Sequence, residues 1–225
     1  MVTGVESVAS NAAERTNSRL LRRRDRRKAE LVRVAIETLA TSGYQGMSLE
    51  GVAERTDIAK ATLYHYFSGK DELVAEALET LTDAVLERLI AARDAETSGS
   101  SRERLRVLVR EQLHVLTIEF PEVGSIFSRQ GTWPAVHDGA RKSMRRRHDS
   151  IFREVVAAGL ATGELDCDDI DVALQCQHAV MNSVSVWLGG IEDPSERATQ
   201  TEAVVRAVMR IFTSSDQGTS KEPTR

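Results

Sequence analysis

The chain has 225 residues and a mass of 24.8 kDa, enough for one large domain or two modest ones without disulfide or metal staples. Apolar residues (41%) and charged residues (28%) lie near globular averages and exclude wholesale disorder, while 4% aromatics, 4 prolines and 14 glycines weigh against a β-sandwich or barrel and for helices. No run of 18 apolar residues exists and no apolar segment follows the N-terminal charges, so neither a membrane span nor a secretory signal is expected. Cys167 and Cys176 match no zinc or redox spacing, and a reduced, cytoplasmic chain is the plain reading.

The net charge of −4 counts against a nucleic-acid partner, but its distribution does not. Residues 19–70 hold eleven Lys/Arg against six Asp/Glu, a balance of +5 that leaves −9 for the rest. A basic head on an acidic body is the electrostatic footprint of a DNA-binding module joined to a non-binding one, or of a disordered basic tail on an ordinary domain.

In chain order, residues 1–20 are small, polar and aperiodic, and read as a disordered tail. From Arg26 the pattern turns helical, with Leu31, Val34, Ala35, Thr38 and Leu39 on one stripe and Gly43 closing the run as a C′ glycine. Ser48 caps a short helix carrying Leu49, Val52 and Ala53. Thr56-Asp57-Ile58-Ala59 is a tight break, and Lys60 to Phe67 is a second short helix. Ser68, with Asp71 as the reciprocal acid, opens a long helix striped by Val74, Leu78, Leu81, Val85 and Leu89. Residues 97–101 are a loop. Helical patterns follow at about 102–117, 119–130, 136–162, 168–188 and 196–213, punctuated by Pro121, Trp133-Pro134, Gly159, Gly163 and Gly189-Gly190. The tail from 214 to 225 is polar and reads as disordered. No segment shows a convincing period of two, so the fold class is all-α: a three-helix head over 21–75 and a larger helical body over 76–213.

Two short helices joined by three or four residues describe a helix-turn-helix. Val52, Ala53, Leu63 and Phe67 supply its buried side; Lys60, Thr62, Tyr64, His65 and Tyr66 are left outward. That set offers a cation, a hydroxyl with a methyl, an imidazole and phenols to phosphates and base edges; half-buried packing is the plainer use of the two tyrosines. The stretch LEGVAERTDIAKATLYHYFSGKDEL, residues 49–73, closely resembles the DNA-binding segment of the TetR family of bacterial repressors. The core of the likeness is Thr62-Leu63-Tyr64-His65-Tyr66-Phe67 followed by Lys70, Glu72 and Leu73, with Gly43-Tyr44 and Ser48 upstream. The resemblance implies an all-α homodimer on a double-stranded DNA operator. It implies phosphate contacts from Ser48, Tyr64 and Lys70, a major-groove face from Lys60, Thr62 and His65, and Phe67 in the core. Ala61, Tyr66, Arg26 and Arg27 complete the expected DNA-facing set, the arginines as part of a basic arm that otherwise is a solvated tail. Two positions depart from the family pattern: Asp57 stands where Gly is usual, and Ala59 where a capping Ser or Thr is common. A lost cap typically costs ~1 kcal/mol.

The body holds most of the large apolar side chains, including Phe120, Phe127, Trp133, Met144, Phe152, Met181 and Trp187. Such groups fill a core or line a pocket between helices. Arg141, Lys142, Arg145, Arg146 and Arg147 precede Ile151 and Phe152, with Arg141, Arg145 and His148 on one helix face. Five cations beside an apolar stripe either pair with Asp138, Asp149 and Glu154 as a solvated face or bind a ligand with an apolar end and a phosphate-bearing end. The run from Trp133 through Arg145, His148, Gly159, Gly163-Glu164-Leu165, Asp169, Asn182 and Trp187 is similar to TetR-family regulators of fatty-acid or sterol breakdown that sense acyl-CoA. The expected ligand set is Phe127, Trp133, His137, Arg141, Met144, Arg145, His148, Asn182 and Trp187. By the same likeness, the last two helices build the dimer interface; from the sequence alone they could equally be internal.

There is no GxSxG, Walker or GxGxxG motif, and the five histidines never fall at metal spacing with a carboxylate. No cofactor, metal or catalysis is expected. The reading is a dimeric, ligand-responsive repressor released by an acyl-CoA or other hydrophobic effector. A DNA-binding regulator without a small-molecule ligand and an acyl-CoA-processing enzyme are the alternatives.

Overall fold

A computed structural model describes residues 3–128 and 133–213, without the side chains of 3–20, 125, 127, 128, 185 and 186. The expected tails over 1–20 and 214–225 therefore lie outside the described residues, apart from the helical backbone of 3–20. All regular elements among the described residues are helices: α1 (Thr3–Gly46), α2 (Leu49–Arg55), α3 (Lys60–Tyr64), α4 (Lys70–Ala95), α5 (Ser101–His114), α6 (Pro121–Ser128), α7 (Asp138–Thr162), α8 (Ile170–Leu188) and α9 (Pro194–Met209). The chain divides into two compact units, 1–78 and 79–225, within α4.

In the first unit, α1 is interrupted at Gly43, whose φ of 68° is a conformation that L side chains rarely adopt. Ser48 caps α2, its Oγ accepting from the Gly51 N–H at 3.1 Å. Leu31, Val34, Ala35 and Leu39 of α1 meet Leu49, Val52 and Ala53 of α2 and Leu63, Phe67, Leu73 and Val74 beyond it in a core that excludes water. The second short helix is briefer than its sequence suggests. It ends at Tyr64, and the Tyr66 and Phe67 N–H groups both turn back onto the Leu63 carbonyl, at 2.9 and 3.1 Å. Ala59 gives α3 no side-chain cap. Ser68 bonds a different acid from the one expected: its N–H and Oγ both donate to Glu72, at 2.6 Å each, while the Asp71 carboxylate accepts from the Tyr44 phenol at 2.6 Å.

In the second unit, the stripe Leu81, Val85 and Leu89 of α4 is buried as its spacing predicts. Helix α5 packs against α7 and α9, and α8 against α6, α7 and α9. Sequence periodicity carries the α5 pattern to 117, but the backbone leaves α-geometry at Val115 and winds a π-helical turn over Val115–Glu119. Pro121 then starts α6, and a 3₁₀ turn over Ala135–His137 leads into α7. Gly163 (φ 73°) ends α7 as the punctuation predicts. Gly159 does not break the helix. It is the place where Leu165 lies against the helix backbone, and a Cβ there would sit 2.5 Å from Leu165 Cδ1. Asp193 caps α9, with Pro194 as its first residue.

Candidate functional site

Leu63 and Phe67, 0% and 1% exposed, anchor α3 in the head. The same short helix therefore turns Lys60, Ala61, Tyr64 and the adjoining His65 outward, with Tyr64 47% exposed. Thr62 and Tyr66 are half-buried, so they combine packing with a polar edge. Lys60 Nζ is ion-paired with Glu50 of α2 and lies 5.9 Å from the Tyr64 ring centroid. Its ammonium is held above the ordinary lysine value and the Glu50 carboxyl below the ordinary carboxylate value, in each case chiefly by their mutual hydrogen bond. Lys70 lies at the start of α4 with Nζ 4.0 Å from the Tyr44 ring centroid. Hydrogen bonding to Asp71 raises the Tyr44 phenol.

The turn before α3 closes as a Schellman motif. The Asp57 N–H donates to the Glu54 carbonyl at 3.1 Å and the Ile58 N–H to the Ala53 carbonyl at 3.0 Å. Asp57 takes the left-handed conformation this needs, with φ of 51°. Arg26 is exposed. Arg27 is engaged within the head: its Nη1 donates to Glu30 at 2.8 Å and to the Thr56 carbonyl at 3.4 Å, at the end of α2.

The body contains a cavity of about 180 Å³. One side is apolar: Leu81, Val85 and Leu86 from α4, Leu116 from the π-helical turn, Val123 from α6, Met144 from α7 and Met181 from α8. The other is polar: Gln112 from α5, Arg141, Arg145, His148 and Asp149 from α7, and His178 and Asn182 from α8, with Thr82 of α4. Of the expected ligand residues, the fold brings Arg141, Met144, Arg145, His148 and Asn182 to this cavity. Trp133 and His137 are not among its walls; they meet each other edge to face at 6.0 Å, and His137 is only 2% exposed. Trp187, 47% exposed, is not in the lining either. Phe127 lies outside the residues with described side chains.

The arginine run is divided between roles. Arg147 is turned onto Glu79 (2.6 Å) and Asp83, whereas Arg141 lies 5.6 Å from the Trp133 ring and 3.9 Å from Asp138. Arg145 bonds Gln175 and stands 3.7 Å from Asp149. Glu154 faces Arg93 instead of the run.

The spacing of the histidines along the chain conceals their grouping in space. His148 Nδ1 and His178 Nε2 are 3.0 Å apart, and Asp149 Oδ1 is 3.7 Å from the first and 3.4 Å from the second. Both rings also pack on Phe152, at 5.1 and 5.7 Å. Burial, then the charge of His148, pushes His178 down to about 4. Burial acts to raise the Asp149 carboxyl, yet it lies below the ordinary value because His148, His178 and Arg145 together outweigh that effect. Gln112, Asp149 and His178 were absent from the expected ligand set. Gln112 and His148 are 36 residues apart, and His148 and His178 are 30 apart, so no linear motif joins them.

Residues 31–77 match the family described as bacterial regulatory proteins, tetR family, and residues 98–209 match the tetracyclin repressor-like C-terminal domain. The chain is 30% identical over 137 residues to the HTH-type transcriptional regulator BetI of Burkholderia mallei, covering 58% of this chain and 68% of that protein. The fold is that of the transcriptional regulator FadR of Bacillus subtilis, solved with stearoyl-CoA (TM-score 0.68, 15% identity, 81% of this chain and 98% of that one). It is also that of AibR, solved with isovaleryl coenzyme A and operator DNA (TM-score 0.66, 19% identity, 81% and 96%). No helix among the described residues is long and apolar enough to cross a membrane. Regulators of this kind bind DNA operators and form dimers. The helix-turn-helix head, the helical body and these matches over both halves establish that the chain belongs to the TetR family, as a DNA-binding transcriptional repressor and not an enzyme.

Proposed function

We propose that the protein is a ligand-responsive repressor that acts in the cytoplasm as a homodimer on a near-palindromic operator. The carrying observation is the outward set Lys60, Ala61 and Tyr64 of α3 with the adjoining His65, held in place by Leu63 and Phe67, which are buried in the head. Lys60, Thr62 and His65 enter the major groove. Ser48, Tyr64 and Lys70 hold phosphates, with Tyr66 beside them and Arg26 on the arm. Arg27 joins them only by leaving Glu30 and the Thr56 carbonyl. Two heads of the dimer meet successive major grooves about 34–36 Å apart.

The effector occupies the body cavity, with its apolar part against Leu81, Val85, Leu116 and Met181 and its polar part toward Arg141, Arg145 and Asn182. Two observations support an acyl-CoA or similar amphipathic ligand: this division of the walls, and the thioesters held by FadR and AibR. The cavity is small beside the ~300–1,000 Å³ of drug-sized sites, which favours a short acyl group. The effector releases DNA if it binds more tightly to a conformation with the wrong head spacing.

A thermal-shift series with coenzyme A thioesters of graded chain length, beside free coenzyme A and free fatty acids, tests the effector. A ligand at ~100 times its Kd adds about 2.7 kcal/mol, or roughly 5–10 °C for a chain of this size. Anisotropy of a selected operator fragment tests the head. Tyr64→Ala is expected to weaken binding without loss of fold, and Lys70→Ala to lower the salt slope by about one. Unchanged DNA affinity in both variants refutes the docking, and a flat thermal-shift series refutes the thioester.

A further inference from the structure

We infer that His148 Nδ1, His178 Nε2 and Asp149 Oδ1 form a three-ligand site for a divalent first-row transition-metal ion of the Zn²⁺ type, with its fourth position open to the body cavity.

The geometry is that of a metal shell. The three donor atoms are separated by 3.0, 3.4 and 3.7 Å. Zinc bonds to nitrogen and oxygen of about 2.0–2.2 Å place tetrahedral ligands roughly 3.3–3.6 Å apart, so an ion fits between the three with shifts of a few tenths of an ångström. The donors come from two packed helices, α7 and α8, on either side of the fourth position.

The outer hydrogen bonds let all three atoms serve as ligands once an ion displaces the proton shared between the two rings. His148 Nε2 lies 2.7 Å from Gln112 Oε1, so in the neutral ring that nitrogen can hold the proton and leave Nδ1 free to ligate. The other side of the His178 ring bonds the Leu174 carbonyl, which leaves the Nε2 lone pair facing His148. Asp149 Oδ1 is buried and has no hydrogen-bond partner. Two imidazole nitrogens and a carboxylate oxygen thus converge on one point, where the proton of the 3.0 Å bond between the rings occupies the place a metal ion would take. Outer ring nitrogens bonded to carbonyl oxygens are also the usual support of metal-bound imidazoles.

The donor set chooses the ion. Two imidazoles and one carboxylate suit zinc, cobalt, nickel, copper or ferrous iron, whereas calcium and magnesium require oxygen shells. All three residues line the cavity, where an anionic oxygen or sulfur of a small ligand would complete the coordination. The inference does not depend on the acyl-CoA reading, which the thioester series tests in metal-free protein.

The test is titration of full-length, tag-free protein, stripped with a chelator, with Zn²⁺ by calorimetry and Co²⁺ by visible absorption. The expected result is one ion per chain and the intense visible bands of four-coordinate Co²⁺. Asp149→Asn and His178→Gln should each weaken Zn²⁺ binding at least ~10-fold, and Gln112→Ala ~10–100-fold through loss of ligand support. Circular dichroism checks that each variant folds, and the wild-type titration stands alone should one fail. Absence of saturable binding overturns the site. So does binding that survives Asp149→Asn and His178→Gln together, or that disappears with Cys176→Ser.

Discussion

Replacing Asp57 tests how the head holds its second short helix. Its φ of 51° is the single positive value among the described non-glycine residues. The left-handed conformation costs an L-residue roughly 1–2 kcal/mol, less for Asp, whose short polar side chain can bond locally. A β-branched side chain bears the full penalty. Asp57→Val is therefore expected to lose about 1–2 kcal/mol. If the turn straightens to relieve the strain, the two hydrogen bonds to Glu54 and Ala53 are lost as well, at ~0.5–1.5 kcal/mol each. Asp57→Gly removes the strain but frees the unfolded chain by about 0.4–1 kcal/mol, so it should stay within roughly 1 kcal/mol of wild type. Because the turn sets where α3 begins, regaining the binding geometry in the Val variant costs the same 1–2 kcal/mol, or about 5–30-fold in operator affinity. Urea denaturation followed by circular dichroism, beside anisotropy on a selected operator, reads both effects. A Val variant as stable and as tight-binding as wild type refutes the Schellman account of the turn.

Three further outcomes are expected. Glu50→Gln releases Lys60 from its ion pair and should raise operator affinity a few-fold at low salt; weaker binding would mean that the pair positions Lys60 for DNA. Gly159→Ala gains up to ~1 kcal/mol of helix propensity but overpacks Leu165, typically at 1–3 kcal/mol. The Tm should fall, and by less in a Leu165→Ala background, where the added Cβ has room. The Glu202 carboxyl lies below its ordinary value chiefly through its bidentate bond with Arg110, at 2.5 and 3.0 Å. The unfolded state therefore takes up this proton first. The pair's stabilisation, about 0–1 kcal/mol for so exposed a pair, is present at neutral pH and is lost as pH falls through the carboxylate range. Glu202→Gln should flatten that part of the acid-stability profile.

Local features of the chain were legible without tertiary information because their physics is local. The buried stripes at helical spacing, the Ser48 cap, the break at Gly43 and the outward set Lys60, Tyr64 and His65 all depend on residues within a turn or two of one another. The head's kinship was readable for the same reason: its face is contiguous in sequence. Local rules failed where a neighbouring element intervened. The π-helical turn after His114 and the choice of Glu72 over Asp71 as the partner of Ser68 depend on packing and side-chain reach, which periodicity does not encode. The body shows the same division more sharply. Its cations and large apolar residues could be listed from the chain, but not sorted. Trp133, His137 and Trp187 do not line the cavity, and Arg147 is spent on Glu79 and Asp83.

What the amino-acid sequence determined by itself is the helix pattern, the basic head and the residues that head presents, since each follows from spacing along one helix or one turn. What only the tertiary structure decided is the cavity and the meeting of His148 and Asp149 of α7 with His178 of α8 within it. Those groups come from two helices, with His148 and His178 30 residues apart in the chain, and their distances are set by how α5, α7 and α8 pack on one another.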